Sequence, residues 1–317
     1  MALVTAKATG NWSAGSTWDS DPALPQAGDT VDCAGYTVTI DQDVTVATIK
    51  STGAGYFAVS AARAITAAIL SDTGHSGGGV VRCTHSSGTV TLAGTVTAGP
   101  ATAITNNTGT LSVTGDVTGG TASNASGIGM NSSGAVSVTG NVVAGSGTTS
   151  YGVINWSTGT LNITGNVTGG SGNSSAGVRN SSTGTINVSG SATGGGNTGA
   201  HGASNASTGV CAVEGVCIGG SNSSAYGLYG TNSGGTTTYK SARVGGVVAS
   251  GVGGYAKLAV DATVNYVEVV RSDTGAAYKL SNNYPTNAQV ESGVVFNLGT
   301  QTGSYAGGGS TVIVIED

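Results

Sequence analysis

The sequence is poor in charge, aromatic side chains and proline: of its 317 residues, 8% are charged, 5% are aromatic and four are proline. The ten basic residues are scattered from Lys7 to Lys279, whereas a surface that grips phosphates needs clustered Lys and Arg. No apolar run is long enough to span a bilayer, and no charged segment followed by an apolar stretch marks a signal peptide. We therefore expect neither a nucleic-acid nor a membrane partner.

Metal-ligand patterns are missing as well. The four cysteines form no Cys-x-x-Cys pair, and His75, His85 and His201 lack the spacing of metal ligands. We interpret six N-terminal acids as turn and solubility residues, with metal binding and then catalysis as the alternatives: Asp19, Asp21, Asp29, Asp32, Asp41 and Asp43. We expect no metal and no cofactor.

Glycine is abundant, with 57 residues, and much of it belongs to an internal repeat. The segment Gly109-Thr-Leu-Ser-Val-Thr-Gly-Asp-Val-Thr-Gly-Gly120 returns at steps of 25 residues, from Gly134, Gly159, Gly184 and Gly209. Leu161 and Ile163 alternate with polar residues, as in a half-buried strand, and the density of Gly, Thr, Val and Asn disfavours helix. The sequence predicts an all-β parallel β-helix, or β-solenoid, of 25-residue coils with three short strands each.

Coils of a solenoid bury their apolar sides against one another, so equivalent residues form inward columns. The first predicted column is Leu111, Val136, Leu161, Ile186 and Cys211. The second is Val113, Val138, Ile163, Val188 and Val213. The third is Val117, Val142, Val167, Ala192 and Cys217. We interpret Cys211 and Cys217 as small buried hydrophobes, with a disulfide or a reactive thiol as the alternative.

The outward rows are uncharged Thr, Ser and Asn, such as Ser112, Ser137, Asn162 and Asn187. Asparagine amides can form hydrogen-bonded ladders between stacked parallel strands. This explains the abundant Asn-x-Ser/Thr sequences at Asn131, Asn162, Asn166, Asn180 and Asn205 without invoking glycosylation.

Three regions follow from the change in pattern along the chain. Residues 1–50 are predicted to form an N-terminal cap and first coil, in which Trp12 and Trp18 close the open end, with ligand stacking as the alternative. Residues 51–246 form the solenoid, regular from about residue 88, and the alanine-rich stretch 58–70 could hold a helical turn instead. Charge and tyrosine return at 247–317, which we assign to a C-terminal β module.

The coils contain few groups able to do chemistry. Between residues 88 and 235 the charged residues are Asp116, Arg179 and Glu214. Glycoside hydrolysis needs two carboxylates about 5 to 9.5 Å apart, but Asp116 and Glu214 lie four coils, or roughly 19 Å, apart. His201 falls in a variable column that we expect at the surface. We therefore expect a non-enzymatic protein, with a glycan adhesin, an ice-binding solenoid or a carbohydrate-active enzyme as alternatives.

Both ends of the chain resemble known proteins. The N-terminal Gly10-Asn-Trp-Ser13, Gly28-Asp-Thr-Val31 and Tyr36-Thr-Val-Thr-Ile-Asp41 resemble the opening of Gly/Thr-rich solenoid proteins of tailed-bacteriophage virions and of some bacterial surface proteins. Pro285, Val290, Gly293-Val294 and Phe296 resemble a segment common in phage structural proteins. The resemblance implies a capsid decoration protein, a head or tail fibre or a spike, in a virion or an extracellular surface assembly. It also implies self-association, as a homotrimer or filament, and contacts with other virion proteins.

Overall fold

The computed structural model describes residues 2–20, 23–71, 81–83, 88–106, 109–220, 225 and 227–230, followed by 236–243, 258–260, 267–271, 277–280, 295–296 and 301–302. Its parallel strands are stacked in coils of about 25 residues, so the predicted β-solenoid is confirmed. Within these residues the helical content is one short 3-10 turn at Gly15–Thr17. None of the described segments contains a helix long and apolar enough to cross a membrane.

The strands are short, as expected of coils with glycine-rich corners. The N-terminal strands are β1 (Leu3–Thr5), β2 (Gly10–Asn11), β3 (Thr30–Asp32), β4 (Thr37–Thr39), β5 (Val44–Ser51), β6 (Tyr56–Val59), β7 (Ala64–Ser71) and β8 (Val81–Cys83). The next strands are β9 (Thr89–Ala93), β10 (Val96–Thr97), β11 (Ile104–Asn106), β12 (Thr110–Thr114), β13 (Val117–Thr118), β14 (Ile128–Met130), β15 (Ala135–Thr139), β16 (Val142–Val143) and β17 (Val153–Asn155).

The remaining strands complete the regular coils and continue past them. They are β18 (Thr160–Thr164), β19 (Val167–Thr168), β20 (Val178–Asn180), β21 (Thr185–Val188), β22 (Ala192–Thr193), β23 (Ala203–Asn205), β24 (Val210–Ile218), β25 (Leu228–Gly230), β26 (Thr236–Arg243), β27 (Leu258–Val260), β28 (Val267–Arg271), β29 (Ala277–Leu280), β30 (Val295–Phe296) and β31 (Gln301–Thr302).

Each regular coil has three faces built from these strands. The first face carries the five-residue strands such as β12, and the second carries the two-residue strands such as β13; both belong to one 18-stranded sheet that bends at a glycine corner. The third face carries strands such as β14 and forms an 11-stranded parallel sheet. Because neighbouring strands are about 4.8 Å apart, eleven stacked strands make a rod roughly 48 Å long.

The register between coils is the one that the repeat predicts. β12 pairs with β15 so that Leu111 lies beside Val136 and Val113 beside Val138, and β13 pairs with β16 so that Val117 lies beside Val142. All fifteen predicted column residues are buried, with 2% exposure or less. They belong to one continuous hydrophobic core along the rod.

The less regular N-terminal coils feed the same core. The third column continues from Val96 back through Ile69, Ile49 and Val31 to Val4, each paired with its neighbour in register. The stretch 58–70 contains parts of strands β6 and β7, so the helical alternative for it is wrong. A strand suits the β-branched side chains at these half-buried positions better than a helix does.

The two predicted cap tryptophans lie inside the first coil. Trp12 and Trp18 are 2% and 0% exposed and pack edge to face, with ring centroids 5.1 Å apart. The indole Nε1 of Trp18 donates to the carbonyl of Trp12 at 2.9 Å, so its polar atom is satisfied. An antiparallel bridge between Ala6 and Trp18 sits beside the first strand, β1. Since both rings are buried, neither offers a face to a ligand.

Past residue 246 the described strands begin by extending the solenoid. β27 pairs parallel with β25, and β28 pairs parallel with β26. Antiparallel pairing starts with β28 and β29 and recurs in β30 and β31. The rest of the predicted C-terminal β module, including residues 303–317, lies outside the described residues.

Candidate functional site

The cysteines have no reactive geometry. All four are free and buried, so the predicted hydrophobic role of Cys211 and Cys217 describes their surroundings, and neither forms the alternative disulfide. Burial raises the pKa of Cys211 to about 12 and that of Cys33 to about 11. A thiol with such a pKa holds almost no thiolate near pH 7 and is a poor nucleophile.

The described N-terminal acids act as hydrogen-bond acceptors for neighbouring turns. Asp19 accepts from the Thr5 amide at 2.9 Å, and Asp41 accepts from the Ser13 amide at 3.0 Å and from its hydroxyl at 2.5 Å. Asp43 accepts from the Ala64 amide at 2.9 Å. The bonds of Asp41 and Asp43 join residues 28 and 21 positions apart, so these two carboxylates tie successive coils together, whereas Asp19 and Thr5 are 14 positions apart and lie within the first coil. Asp21 lies outside the described residues.

Two further acids satisfy several donors each. Asp29 accepts from the Ala2 amide at 2.9 Å and from the Gln26 amide at 3.0 Å, and these bonds lower the pKa of its carboxyl group. Asp32 is buried and accepts from the amides of Ala34 and Thr52 and from the Thr52 hydroxyl, and its Oδ2 lies 3.8 Å from the Lys50 ammonium. Each carboxylate therefore closes a turn nearby in the sequence and also binds a residue 20 or 27 positions away.

A second set of polar residues runs along the corner between the first and second faces. The side chain of Asp116 accepts from the Asn141 amide at 2.7 Å, Asn141 accepts from the Asn166 amide at 3.0 Å, and Asn166 accepts from the Ser191 amide at 2.9 Å. Ser191 in turn accepts from the Val216 amide at 3.1 Å. Each side chain thus satisfies an amide of the next coil, and Asp116, the one acid of this corner ladder, serves as its first member.

A third set of polar residues, which we call the buried amide ladder, closes the turn after the third face. Asn155 donates to the Gly159 carbonyl at 2.8 Å and accepts from the Ser157 amide at 2.9 Å. Asn180 and Asn205 donate in the same way to carbonyls four residues later, at 2.8 and 2.9 Å. All three are buried, so Asn180 and Asn205 are inaccessible to glycosylation.

The position of His201 differs from the sequence-based expectation of a surface column. The equivalent residues Ser126, Tyr151 and Ala176 are 0%, 6% and 2% exposed. This segment packs inward because it crosses the next coil closely: a Cβ on Gly127 would meet the Val142 side chain. His201 is half-buried and stacks on Tyr229, with ring centroids 4.2 Å apart and planes 9° apart.

The third face carries a group of side chains that sequence reasoning missed. We call a group of five side chains the third-face strip; they lie on strands β17, β20, β23 and β25 or in the turns beside them, and they are Tyr151, Trp156, Arg179, His201 and Tyr229. Tyr151 also belongs to a small apolar cluster with Ile154 and Ala176. Their shared repeat positions, in a stretch otherwise nearly free of aromatics, were the sequence signal that would have revealed them.

In the described part of the chain, no group of three or more His, Cys, Asp or Glu side chains is placed to hold a metal ion. Comparison of the chain with protein-family models, with curated proteins and with solved structures found no significant match. Among the described residues, the third-face strip is the feature that most resembles a recognition site, because it combines the exposed indole of Trp156 with the guanidinium of Arg179.

Proposed function

We propose that the chain is a non-enzymatic structural protein, a rod-forming component of a phage virion (capsid decoration, head or tail fibre, or spike) or of an extracellular filament. One observation carries the proposal: polar and acidic side chains of the coils form hydrogen bonds that hold the stacked coils together. The corner ladder from Asp116 to Ser191 and the buried amides of Asn155, Asn180 and Asn205 each satisfy backbone groups of their own or the next coil.

Such a rod suits a spacer. Stiffness comes from a continuous core together with hydrogen bonds repeated at every coil, because bending the rod would open both. The outward rows are polar but uncharged, which lets copies lie side by side without charge repulsion. The resemblance of both chain ends to phage solenoid proteins supports placement in a virion, with self-association and other virion proteins as the partners.

Imaging of the assembled particle or filament tests the proposal. We expect the purified chain to self-associate as a trimer or a longer filament. Light scattering should detect this assembly, and electron microscopy should show it as a rod. Antibody-gold labelling should then decorate one repeated position on the particle. A monomeric chain that releases new reducing ends from a polysaccharide would contradict the proposal, because the rod would then be an enzyme scaffold.

A further inference from the structure

Aromatic and basic residues are concentrated on one side of the regular coils. Between residues 88 and 235 the sequence has four aromatic residues, one arginine and one histidine: Tyr151, Trp156, Tyr226, Tyr229, Arg179 and His201. Five of these six form the third-face strip, and Tyr226 lies outside the described residues. The outward rows of the first face have no aromatic residue in this stretch. This concentration is independent of the core, because the inward columns need only aliphatic side chains.

Trp156 is the most exposed member of the strip. Its side chain is 47% exposed, while Trp12 and Trp18 are buried. The indole lies against Gly129 of the preceding coil, where a Cβ atom would come within 3.0 Å of Cζ3. Because Gly129 has no side chain, the Trp156 ring can pack directly against its backbone, and about half of Trp156 remains exposed to solvent. An exposed, supported indole is a surface that apolar C–H groups can cover.

Arg179 is held beside Tyr151 with donors left over. Its Nε donates to the Ser181 hydroxyl at 2.9 Å, and its Nη1 donates to the Tyr151 hydroxyl at 3.2 Å. The guanidinium carbon lies 5.3 Å from the Tyr151 ring centroid. Two of the five N–H groups of the guanidinium are used, so an end-on pair of donors remains.

The charge of Arg179 is not neutralised within the strip. No carboxylate of the described residues forms an ion pair with it, since Asp116 lies on the corner ladder and Glu214 on the first-face strand β24. His201 is largely neutral near pH 7, because burial, and then the positive charge of Arg179, lower its pKa to about 4. The strip thus carries one fixed positive charge in a protein of net charge −5.

We infer that the third-face strip binds an acidic glycan, with a sugar ring packed on the Trp156 indole and a sugar carboxylate paired with the free end of the Arg179 guanidinium. The C–H face of a pyranose complements the negative face of an indole, and the guanidinium fork matches a carboxylate. From the coil of Tyr151 and Trp156 to that of Tyr229 the strip crosses three coil steps, roughly 14 Å. This length suits a chain molecule better than a single sugar.

Two other occupants fit the strip less well. A second copy docked through a two-fold axis close to Arg179 would bring two Arg179 side chains together with no acid between them. Such a contact would also rest on one exposed aromatic, far from the roughly 800 Å² per partner of a stable interface. Nucleic acid would need several phosphate contacts, and the strip has one permanent cation.

Quenching of tryptophan fluorescence tests the inference directly, because Trp12 and Trp18 are buried and acrylamide reaches Trp156 preferentially. Two acidic probes, oligogalacturonate and oligosialic acid, are compared with a neutral galacto-oligosaccharide of matched length. We expect at least one acidic probe to protect Trp156 and to bind roughly tenfold more tightly than the neutral probe. Added salt should reduce that difference, because it screens exposed charges.

Three variants separate the two contacts. Trp156→Ala should weaken binding of the acidic probe by roughly tenfold or more in calorimetry. Arg179→Gln should bring the acidic probe down to the affinity of the neutral one while Trp156 still responds. Val210→Ala, which shortens an exposed apolar side chain on the first face, is the matched control and should change nothing. Circular dichroism melting should show that all three variants remain folded.

The inference is overturned if neither acidic probe protects Trp156 at millimolar concentration, or if Trp156→Ala binds the acidic probes as tightly as the parent chain. It is also overturned if the parent chain dimerises in light scattering and Trp156→Ala does not, because the strip would then be a contact between copies. None of these outcomes decides whether the chain is a virion rod, so the two proposals fail separately.

Discussion

The side-chain amide of Asn187 donates a hydrogen bond of 2.8 Å to Oδ1 of Asn162, the equivalent residue one coil earlier. Both residues are outward-facing on the first face, while their neighbours Ile163 and Val188 point into the core. One residue along the strand therefore separates a polar ladder from the hydrophobic interior, and this alternation gives a direct test of the register.

Ile163→Asp should prevent folding of the solenoid or lower its thermal midpoint severely, because it places an unpaired carboxylate among apolar side chains. The matched change Asn162→Asp should be mild, since an Asp oxygen can still accept the bond from Asn187. Thermal melts of the two variants compare the positions, and similar melting would mean that the assigned inside and outside are wrong.

The corner glycines predict a second asymmetry. Gly140 has a φ of 152°, and a Cβ there would run into the carbonyl oxygen of Gly115 in the preceding coil. Gly140→Ala should therefore cost about 2 kcal/mol or more of the free energy of unfolding. At Gly196 an added Cβ meets no atom within 4 Å, so Gly196→Ala should be close to neutral in the same denaturant titration. Equal losses at both sites would contradict the tight corner.

The buried amide ladder predicts that asparagine stabilises the fold more than an apolar residue does at the same positions. Asn155→Ala removes bonds to Gly159 and Ser157 and should cost about 1–3 kcal/mol, because buried backbone groups lose their partners. Met130 pairs in register with Asn155, so Met130→Asn should form the same two bonds in its own turn and be tolerated. Unfolding curves measure both changes, and a stable Asn155→Ala alongside an unstable Met130→Asn would disprove this role.

His201 predicts an acid-dependent loss of stability. Its folded-state pKa is about 4, lowered first by burial and then by Arg179, whereas an unfolded histidine titrates near 6.5. The unfolded state therefore binds a proton between these values while the folded state does not, so stability is full above pH 6.5 and falls as the pH drops toward 4. His201→Gln should therefore remove this fall in the free energy of unfolding between pH 6.5 and pH 4, when the variant and the parent chain are compared at each pH. An NMR titration of the imidazole near 6.5 would contradict the prediction.

Which parts of the structure could be predicted from the sequence depends on the kind of interaction. The columns from Leu111 to Cys211 and from Val117 to Cys217 were predictable, because a strand alternates its side chains and each coil must cover the next. The burial of the column holding Ser126 and His201 was not, because the segment before the third face has no alternating pattern. Its inward path is decided by how closely Gly127 crosses the following coil.

The N-terminal acids show the same division. Their proximity to turns was predictable from residue type, but the pairing of Asp41 with Ser13 and of Asp43 with Ala64 depends on which coil lies above which. Residues 21 to 28 positions apart meet only after the chain has closed a full coil. Spacing alone therefore left metal binding open as an alternative for this cluster.

By itself, the sequence determined the parallel solenoid, the length of its coil and the residues that face its interior, because repetition at 25 residues and alternation at two are both written along the chain. Only the tertiary structure decided which outward residues meet. Tyr151, Trp156, Arg179, His201 and Tyr229 are spread over 79 positions, and stacking at about 4.8 Å per coil is what gathers them into one strip.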